Sequence, residues 1–109
     1  MEWEVRRDDG RIVASPKGRV DEDSWREFSA QLTLAVHEAV DAAAPLVIDL
    51  SGLEYMTSKG LRALTMAKNE AEGAIQIRLA APNGTMRRIL SISRYDMLFP
   101  VVDHVDSPD

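Results

Sequence analysis

Cysteine is absent from this chain of 109 residues. Its absence excludes disulfide bonds, cysteine–zinc sites and thiol catalysis. A long apolar run is missing as well: the longest, around residues 42–48, contains Pro45 and is far shorter than the roughly 20 residues that span a membrane. The first ten residues include no apolar stretch typical of a secretory signal peptide. We therefore expect a cytoplasmic protein without direct membrane insertion.

Basic residues are fewer than acidic ones, 13 against 18, which gives a formal net charge of −5. A nucleic-acid-binding domain normally presents a basic face to the phosphates. The composition therefore argues against a nucleic-acid partner.

Histidine is scarce too, and only His37 and His104 are available as bases or metal ligands. Neither has an Asp, Glu and Ser set at a spacing that suggests a catalytic triad. His37 lies beside Glu38 and Asp41 on an expected helix surface, His104 lies in an acidic tail, and further metal ligands are missing. The sequence also lacks the glycine-rich patterns of nucleotide-binding loops. We therefore predict no catalytic residue, no metal and no cofactor, and expect that the protein is not an enzyme.

The N-terminal residues predict a β-hairpin. Apolar and polar side chains alternate over residues 1–7 and again over residues 11–15, and Asp8–Gly10 is a turn signal between them. We expect Pro16 and Gly18 to end the regular ladder of the second strand.

A long amphipathic helix should follow the hairpin. Ser24 or Asp23 is a candidate N-cap, Glu27 lies at capping-box spacing from Ser24, and Pro45 limits the other end. The apolar positions recur every three or four residues and define the expected buried face: Trp25, Phe28, Leu32, Val36, Ala39 and Ala43.

Strands and helices alternate over the rest of the chain. Residues 46–50 are almost continuously apolar, which is typical of a central strand, and Leu53, Tyr55 and Met56 should tuck under the loop that follows. A second helix is predicted over 58–72, with Leu61, Leu64, Ala67 and Ala71 buried and Gly73 as its stop. A strand over 75–79, a third helix over 85–93 and a short strand or tail over 99–105 complete the order β-β-α-β-α-β-α-(β). Such an order implies a small mixed sheet with right-handed crossovers.

The junction between the central strand and the second helix is the most distinctive local feature. Thr57, Ser58, Lys59 and Gly60 lie where several backbone N–H groups should be unpaired and the helix dipole is positive. A phosphate on Ser58 would bring about −1.5 to −2 charges into that field. Lys59 is adjacent, and Arg62 lies one turn further along the same helix face.

A simpler interpretation fits the same residues. Ser58 or Thr57 would serve as a helix N-cap, worth about 1 kcal/mol, and a capping serine can also be phosphorylated. Gly60 costs about 1 kcal/mol relative to alanine inside a helix. Two reasons would explain a glycine at this position: the close approach of a partner or nucleotide, or tight packing against the loop.

Residues 46–64, LVIDLSGLEYMTSKGLRAL, resemble the signature of STAS domains, the sulfate-transporter and anti-sigma-factor-antagonist fold. Asp49–Ser51 and Thr57–Leu61 are similar to the family's Asp-Leu-Ser and Asp-Ser-x-Gly-Leu segments. Gly18–Asp21 resembles its Gly-x-Leu-Asp turn, and residues 89–100 its closing helix and final strand. The resemblance implies one α/β STAS-like domain over residues 1–109, a small mixed sheet with about three packed helices.

The resemblance also implies a function, that of a stand-alone anti-sigma factor antagonist. In that family the unphosphorylated protein binds a cytoplasmic serine kinase of the ATPase-fold type, which doubles as an anti-sigma factor. The kinase phosphorylates the motif serine with ATP and the complex separates; a serine phosphatase resets the switch. Carried over to this chain, Ser58 is the acceptor, and the partner-binding surface is expected to comprise Asp21, Asp49, Thr57, Ser58, Lys59, Gly60 and Arg62.

One residue departs from the family's pattern: Thr57 replaces the usual acidic residue before the acceptor. Three outcomes follow from this substitution: Ser58 is still the acceptor, Thr57 competes with it, or the protein is not phosphorylated. The last outcome would make it a constitutive STAS scaffold, for example a small subunit of a lipid-transport ATPase. A nucleotide-binding protein of the same fold is a third hypothesis, for which the sequence offers no phosphate loop.

Overall fold

A computed structural model describes residues 1–107, and the last two residues of the predicted domain lie outside this range. Within it the chain forms six strands and three α-helices in two layers. The strands are β1 (Glu2–Asp8), β2 (Arg11–Val20), β3 (Leu46–Asp49), β4 (Leu53–Met56), β5 (Ile77–Ala80) and β6 (Val101–Val102). The helices are α1 (Trp25–Ala42), α2 (Ser58–Ala71) and α3 (Gly84–Ile92), and a short 3-10 helix covers Tyr95–Met97. The mixed α/β architecture expected from the sequence is confirmed.

The strands form one mixed sheet in the order β1-β2-β3-β5-β6, with β4 paired to β2. Only the pairing of β1 with β2 is antiparallel, and it comes from the predicted hairpin, whose turn residues Asp9 and Gly10 have φ of 54° and 78°. The other pairings are parallel. Parallel neighbours need crossover connections, and α1 and α2 provide them between β2, β3 and β5.

Strand β2 is longer than the sequence suggested. Pro16 and Gly18 do not end it: Pro16 is buried opposite Trp3 of β1, and the strand continues to Val20. Gly18 adopts a φ of 115°, and the register shifts between Gly18 and Val20. The irregularity lets β2 pair first with β3 and then, beyond the end of β3, with β4.

Strand β4 was predicted to be part of a loop. Its end residues Leu53 and Met56 are buried as expected, but Tyr55 is 36% exposed and does not tuck under. The backbone N–H of Leu53 donates to the carbonyl of Leu50, so a tight turn joins β3 to β4. Strand β4 then carries the chain directly to the start of α2.

All three helices pack on one face of the sheet. Their buried side chains join one apolar cluster with Ile12, Leu46, Ile48 and Leu79. Val13, Val47 and Ala80 form a small second cluster on the opposite face, against Val102 and Val105. The molecule therefore has a thick helical side and a thin side.

One detail of the predicted burial is wrong, and one charged side chain is buried. In α1, Ala43 is exposed because it forms the left-handed C-cap at a φ of 51°. Trp25 is half-buried and packs against the main cluster, as its place on the apolar face predicts. In β5, the charged residue Arg78 is only 4% exposed. Its guanidinium donates to Gln76 Oε1 and to the Ser107 carbonyl, because residues 103–107 cross the thin side of the sheet.

The predicted capping box of α1 is also absent. Ser24 does occupy the N-cap position, but its hydroxyl donates to the Arg19 carbonyl at 2.7 Å and makes no cap hydrogen bond. Glu27 instead accepts a hydrogen bond from the N-terminal amine of Met1 at 3.3 Å.

Candidate functional site

The first turns of α1 and α2 lie side by side at one edge of the molecule. The Lys59 ammonium at the start of α2 lies 4.9 Å from the centre of the Trp25 ring at the start of α1. Further along, His37 Nε2 of α1 is 2.6 Å from Glu70 Oε1 of α2. The two helices therefore run parallel, and both N-termini face the same side.

Ser58 is the first residue of α2 and is exposed. Within residues 1–107 its hydroxyl makes no hydrogen bond. The carbonyl of Thr57 accepts from the N–H groups of Gly60 and Leu61, at 3.0 and 3.2 Å, which fixes the first turn of the helix. The side chain of Ser58 is thus held on a defined backbone and open to solvent.

Thr57 is the N-cap residue by position but does not cap with its side chain. Its N–H donates to the Val20 carbonyl at 2.9 Å, which ties α2 to the end of β2. Its Oγ1 is buried and, within the described residues, has no hydrogen-bond partner. The Thr57 hydroxyl is therefore less accessible than that of Ser58, and its role as a competing acceptor stays a prediction.

Gly60 is buried rather than displayed. A β-carbon at this position would lie 2.9 Å from Val20 Cγ1 and 2.9 Å from Met56 Cβ. Of the two explanations offered for a glycine in the first turn, the structure supports tight packing. Gly60 therefore lets α2 pack closely on Val20 and Met56 beneath the site. Its direct contact with a partner stays a prediction.

The side chains of Lys59 and Arg62 have different surroundings. Lys59 Nζ is 3.8 Å from Glu22 Oε2 and lies over the Trp25 ring, so its charge is directed towards α1. Arg26 approaches the same ring at 4.7 Å. Arg62 is exposed, and in residues 1–107 its side chain makes no ion pair or hydrogen bond.

Asp21 closes the turn before α1. Its Oδ1 accepts hydrogen bonds from the N–H groups of Asp23 and Ser24, at 3.0 and 3.2 Å, and its Oδ2 is 3.3 Å from Arg19 Nε. The N–H of Asp23 is the main cause that lowers the pKa of Asp21 below its ordinary 3.8; the Ser24 and Arg19 hydrogen bonds act in the same direction. Asp21 is therefore a negative charge beside the Lys59–Glu22 pair.

Asp49 lies apart from the residues at the starts of α1 and α2. It ends β3 and shares the thin side of the sheet with Val47, because side chains alternate along a strand. Its carboxylate accepts from the Ser51 N–H at 3.0 Å and from the Ser15 hydroxyl at 3.4 Å. The structure thus does not bring Asp49 together with Ser58, and its place on a partner surface gains no support from the geometry.

Sequence reasoning missed the supporting role of Asn83. Its Oδ1 accepts from the Met86 N–H at 2.7 Å and so caps α3, while its Nδ2 donates to the Leu53 carbonyl at 3.0 Å. Asn83 thereby fastens β4, the strand that leads into Thr57. Asparagine is a preferred N-cap, so its place just before the third predicted helix was the available signal.

Within residues 1–107 no cluster of three or more His, Cys, Asp or Glu side chains is arranged to hold a metal ion. Over the same residues, no helix has both the length and the apolar character needed to cross a membrane.

Comparison with known proteins defines the class of this chain. Residues 3–102 match the family model described as "Mlab, STAS domain". The chain belongs to the STAS domain family, and the resemblance noted in the sequence is confirmed.

Solved structures of similar fold include several regulators. An anti-sigma factor antagonist from Mycobacterium paratuberculosis is 27% identical, with a TM-score of 0.78 over 96% of this chain and 87% of that one. An anti-sigma-factor antagonist (STAS) domain protein from Planctomyces limnophilus is 17% identical, with a TM-score of 0.79 over 93% and 89%. The phosphorylated form of the Bacillus cell fate determinant SpoIIAA is 19% identical, with a TM-score of 0.64 over 92% and 90%.

Proposed function

We propose that this protein is an anti-sigma factor antagonist that works by partner switching. Its unphosphorylated form binds a cytoplasmic serine kinase of the ATPase-fold type that also acts as an anti-sigma factor, and phosphorylation at Ser58 ends the complex. The similarity to the M. paratuberculosis antagonist over 96% of the chain supports this role.

The observation that carries the proposal is the position of Ser58. Its hydroxyl is exposed, makes no hydrogen bond within residues 1–107, and stands at the first position of a helix whose start is fixed by Val20 and Gly60. In the transfer step, Ser58 Oγ forms a bond to the γ-phosphorus of ATP while the bond from that phosphorus to the bridging oxygen breaks. ADP leaves, and the hydroxyl proton passes to a base of the kinase.

Charge explains why the complex would then separate. The phosphate adds about −1.5 to −2 charges at pH 7, and burying such a charge at an interface without a partner costs several kcal/mol. Since roughly 1.4 kcal/mol is tenfold in affinity, one phosphate suffices for a switch. A serine phosphatase would remove it, and the protein itself performs no catalysis.

The test is a phosphorylation assay on the full chain. We expect incubation with an ATPase-fold serine kinase encoded beside its gene, together with ATP, to add one phosphate that mass spectrometry locates on Ser58. Thr57→Val should accept phosphate like the wild type and Ser58→Ala should accept none. A phosphate that persists in Ser58→Ala would contradict the assignment.

A second candidate function rests on Thr57. The buried, unpartnered Thr57 hydroxyl replaces the acidic residue that the resemblance expects, and the matching family model is described as "Mlab, STAS domain". The loss of the acidic residue and the description of the family model support a STAS scaffold that is never phosphorylated, for example a small subunit of a lipid-transport ATPase. That function predicts no phosphate on Ser58 in cell extracts, and co-purification with a membrane transporter.

A further inference from the structure

The positive side chains near the starts of α1 and α2 are not equally available to an anion. Arg19 pairs with Asp21 at 3.3 Å, and Arg26 lies over the Trp25 ring at 4.7 Å. Lys59, although next to Ser58 in sequence, has its ammonium 3.8 Å from Glu22 Oε2 and 4.9 Å from the centre of the Trp25 ring. Within residues 1–107 this leaves Arg62 as the one cation of the group without a partner.

Helix geometry separates Lys59 and Arg62 further. Residues four positions apart on a helix face each other, with Cβ atoms about 5–6 Å apart, whereas adjacent residues point to different sides. Ser58 and Arg62 are in this relation on the exposed surface of α2. A phosphate on Ser58 would project within reach of the Arg62 guanidinium, whose planar fork matches phosphate oxygens.

We propose that Arg62 is the internal counter-ion of a phosphate on Ser58, while Lys59 stays bound to α1 and takes no direct part. This inference rests on the proposed function, because it names the residue that receives the modified side chain. In the unmodified protein Arg62 is free to meet an acidic group of the partner. After modification the phosphate engages it, so phosphorylation both adds a negative charge to the interface and withdraws a positive one.

The experiment does not depend on the kinase. Phosphoserine is inserted at position 58 of the full chain by an engineered tRNA, and the second ionisation of the phosphate is followed by phosphorus NMR as a function of pH. A cation that contacts the phosphate favours its dianion and so lowers its pKa. We expect the pKa of the phosphate in the folded protein to lie below the value measured in urea.

Two matched variants assign the cation. Arg62→Gln should raise the pKa of the phosphate, weakening its acidity by roughly threefold, and Arg62→Lys should restore part of the effect. Lys59→Gln removes the same charge from the neighbouring position and should leave the titration unchanged. Urea unfolding of each variant establishes that it is folded.

Loss of the pKa difference in Lys59→Gln instead of Arg62→Gln would overturn the proposal. An equal pKa in the folded and unfolded wild type would do the same. Either result would leave the proposed function standing, because the phosphate is installed during synthesis. The proposed function fails separately, if kinase and ATP leave Ser58 unmodified.

Discussion

The parallel helices α1 and α2 begin side by side, yet among the described residues only the start of α1 is held by side-chain hydrogen bonds. Before α1, the carboxylate of Asp21 accepts from two backbone N–H groups and the hydroxyl of Ser24 donates to the Arg19 carbonyl. At the start of α2 neither Thr57 nor Ser58 makes a side-chain hydrogen bond within residues 1–107.

The turn before α1 is held by side-chain hydrogen bonds, whereas the start of α2 leaves its polar side chains without them in the part of the chain that the structure describes. Polar side chains that are fully hydrogen-bonded hold a turn in place, and the turn before α1 is of that kind. The start of α2 is held instead by packing at Gly60 and by the backbone bond from Thr57 to Val20. Its serine is therefore available for chemistry that would not unfold the helix.

The largest expected effect tests whether packing holds the start of α2. Gly60→Ala should lower the free energy of unfolding by about 1–2 kcal/mol, because the new β-carbon would lie 2.9 Å from Val20 Cγ1 and Met56 Cβ. Gly84→Ala is the matched control in the first turn of α3, where a β-carbon meets nothing within 4 Å. Urea unfolding should show that Gly84→Ala is as stable as the wild type or slightly more stable. Equal losses of unfolding free energy in Gly60→Ala and Gly84→Ala would contradict the packing explanation.

The next effect compares a helix start that has a side-chain cap with one that has none. Asn83→Ala should cost about 1–2 kcal/mol, since Asn83 caps α3 and also holds the Leu53 carbonyl. Thr57→Val should leave the free energy of unfolding unchanged or raise it by up to about 1 kcal/mol, because it removes a hydroxyl that is buried without a hydrogen-bond partner in residues 1–107. A large loss in Thr57→Val, measured by the same urea titration, would show that the Thr57 hydroxyl does cap α2.

A smaller, pH-dependent effect is expected at the turn before α1. The pKa of Asp21 is lowered in the folded protein, so its ionised form stabilises the fold. That stabilisation is present above the ordinary pKa of 3.8 and disappears as the pH falls through the lowered pKa. Asp21→Asn keeps the shape and removes the charge.

Unfolding of the wild type and Asp21→Asn should be compared between about pH 6 and pH 2. The wild type should be the more stable at the upper end, and the two curves should converge at the acidic end. A stability difference that is independent of pH would mean that the Asp21 charge contributes nothing.

The smallest effect lies further along the two helices, at the pair formed by His37 and Glu70. Both side chains are about half exposed, 54% and 47%, and exposed pairs are typically worth roughly 0–1 kcal/mol. A double-mutant cycle with His37→Ala and Glu70→Ala should give a coupling of at most about 0.5 kcal/mol that decreases with salt. A coupling above about 2 kcal/mol would contradict the expectation that this exposed pair contributes little to the stability of the fold.

Much of the fold could be predicted, because helix periodicity reports directly on a buried face. The spacing of Phe28, Leu32, Val36 and Ala39 located α1, and the run at residues 46–50 located the central strand. What could not be predicted depends on neighbours distant in sequence. Strand β4 pairs with the end of β2, beyond the register shift between Gly18 and Val20, and four residues with only their ends buried do not reveal that pairing.

The candidate site was also only partly predictable. The motif and its spacing singled out Ser58 as the candidate acceptor, which stays a prediction, and the structure confirms that Ser58 and Arg62 lie four positions apart in α2. The direction of Lys59 could not be foreseen, since Glu22 lies in the turn before α1 and Trp25 in α1 itself, both distant from Lys59 in sequence. Asp49 shares the motif with Ser58, yet side-chain alternation puts it on the other face of the sheet.

Binding to the partner kinase tests the central claim most directly. Isothermal titration should compare the wild type, Ser58→Ala and Ser58→Asp with the same kinase. We predict that Ser58→Ala binds like the wild type and that Ser58→Asp binds at least about tenfold more weakly, since a charge at this exposed position has to be desolvated in the complex. Equal affinities for Ser58→Ala and Ser58→Asp would contradict the claim that Ser58 is a switch.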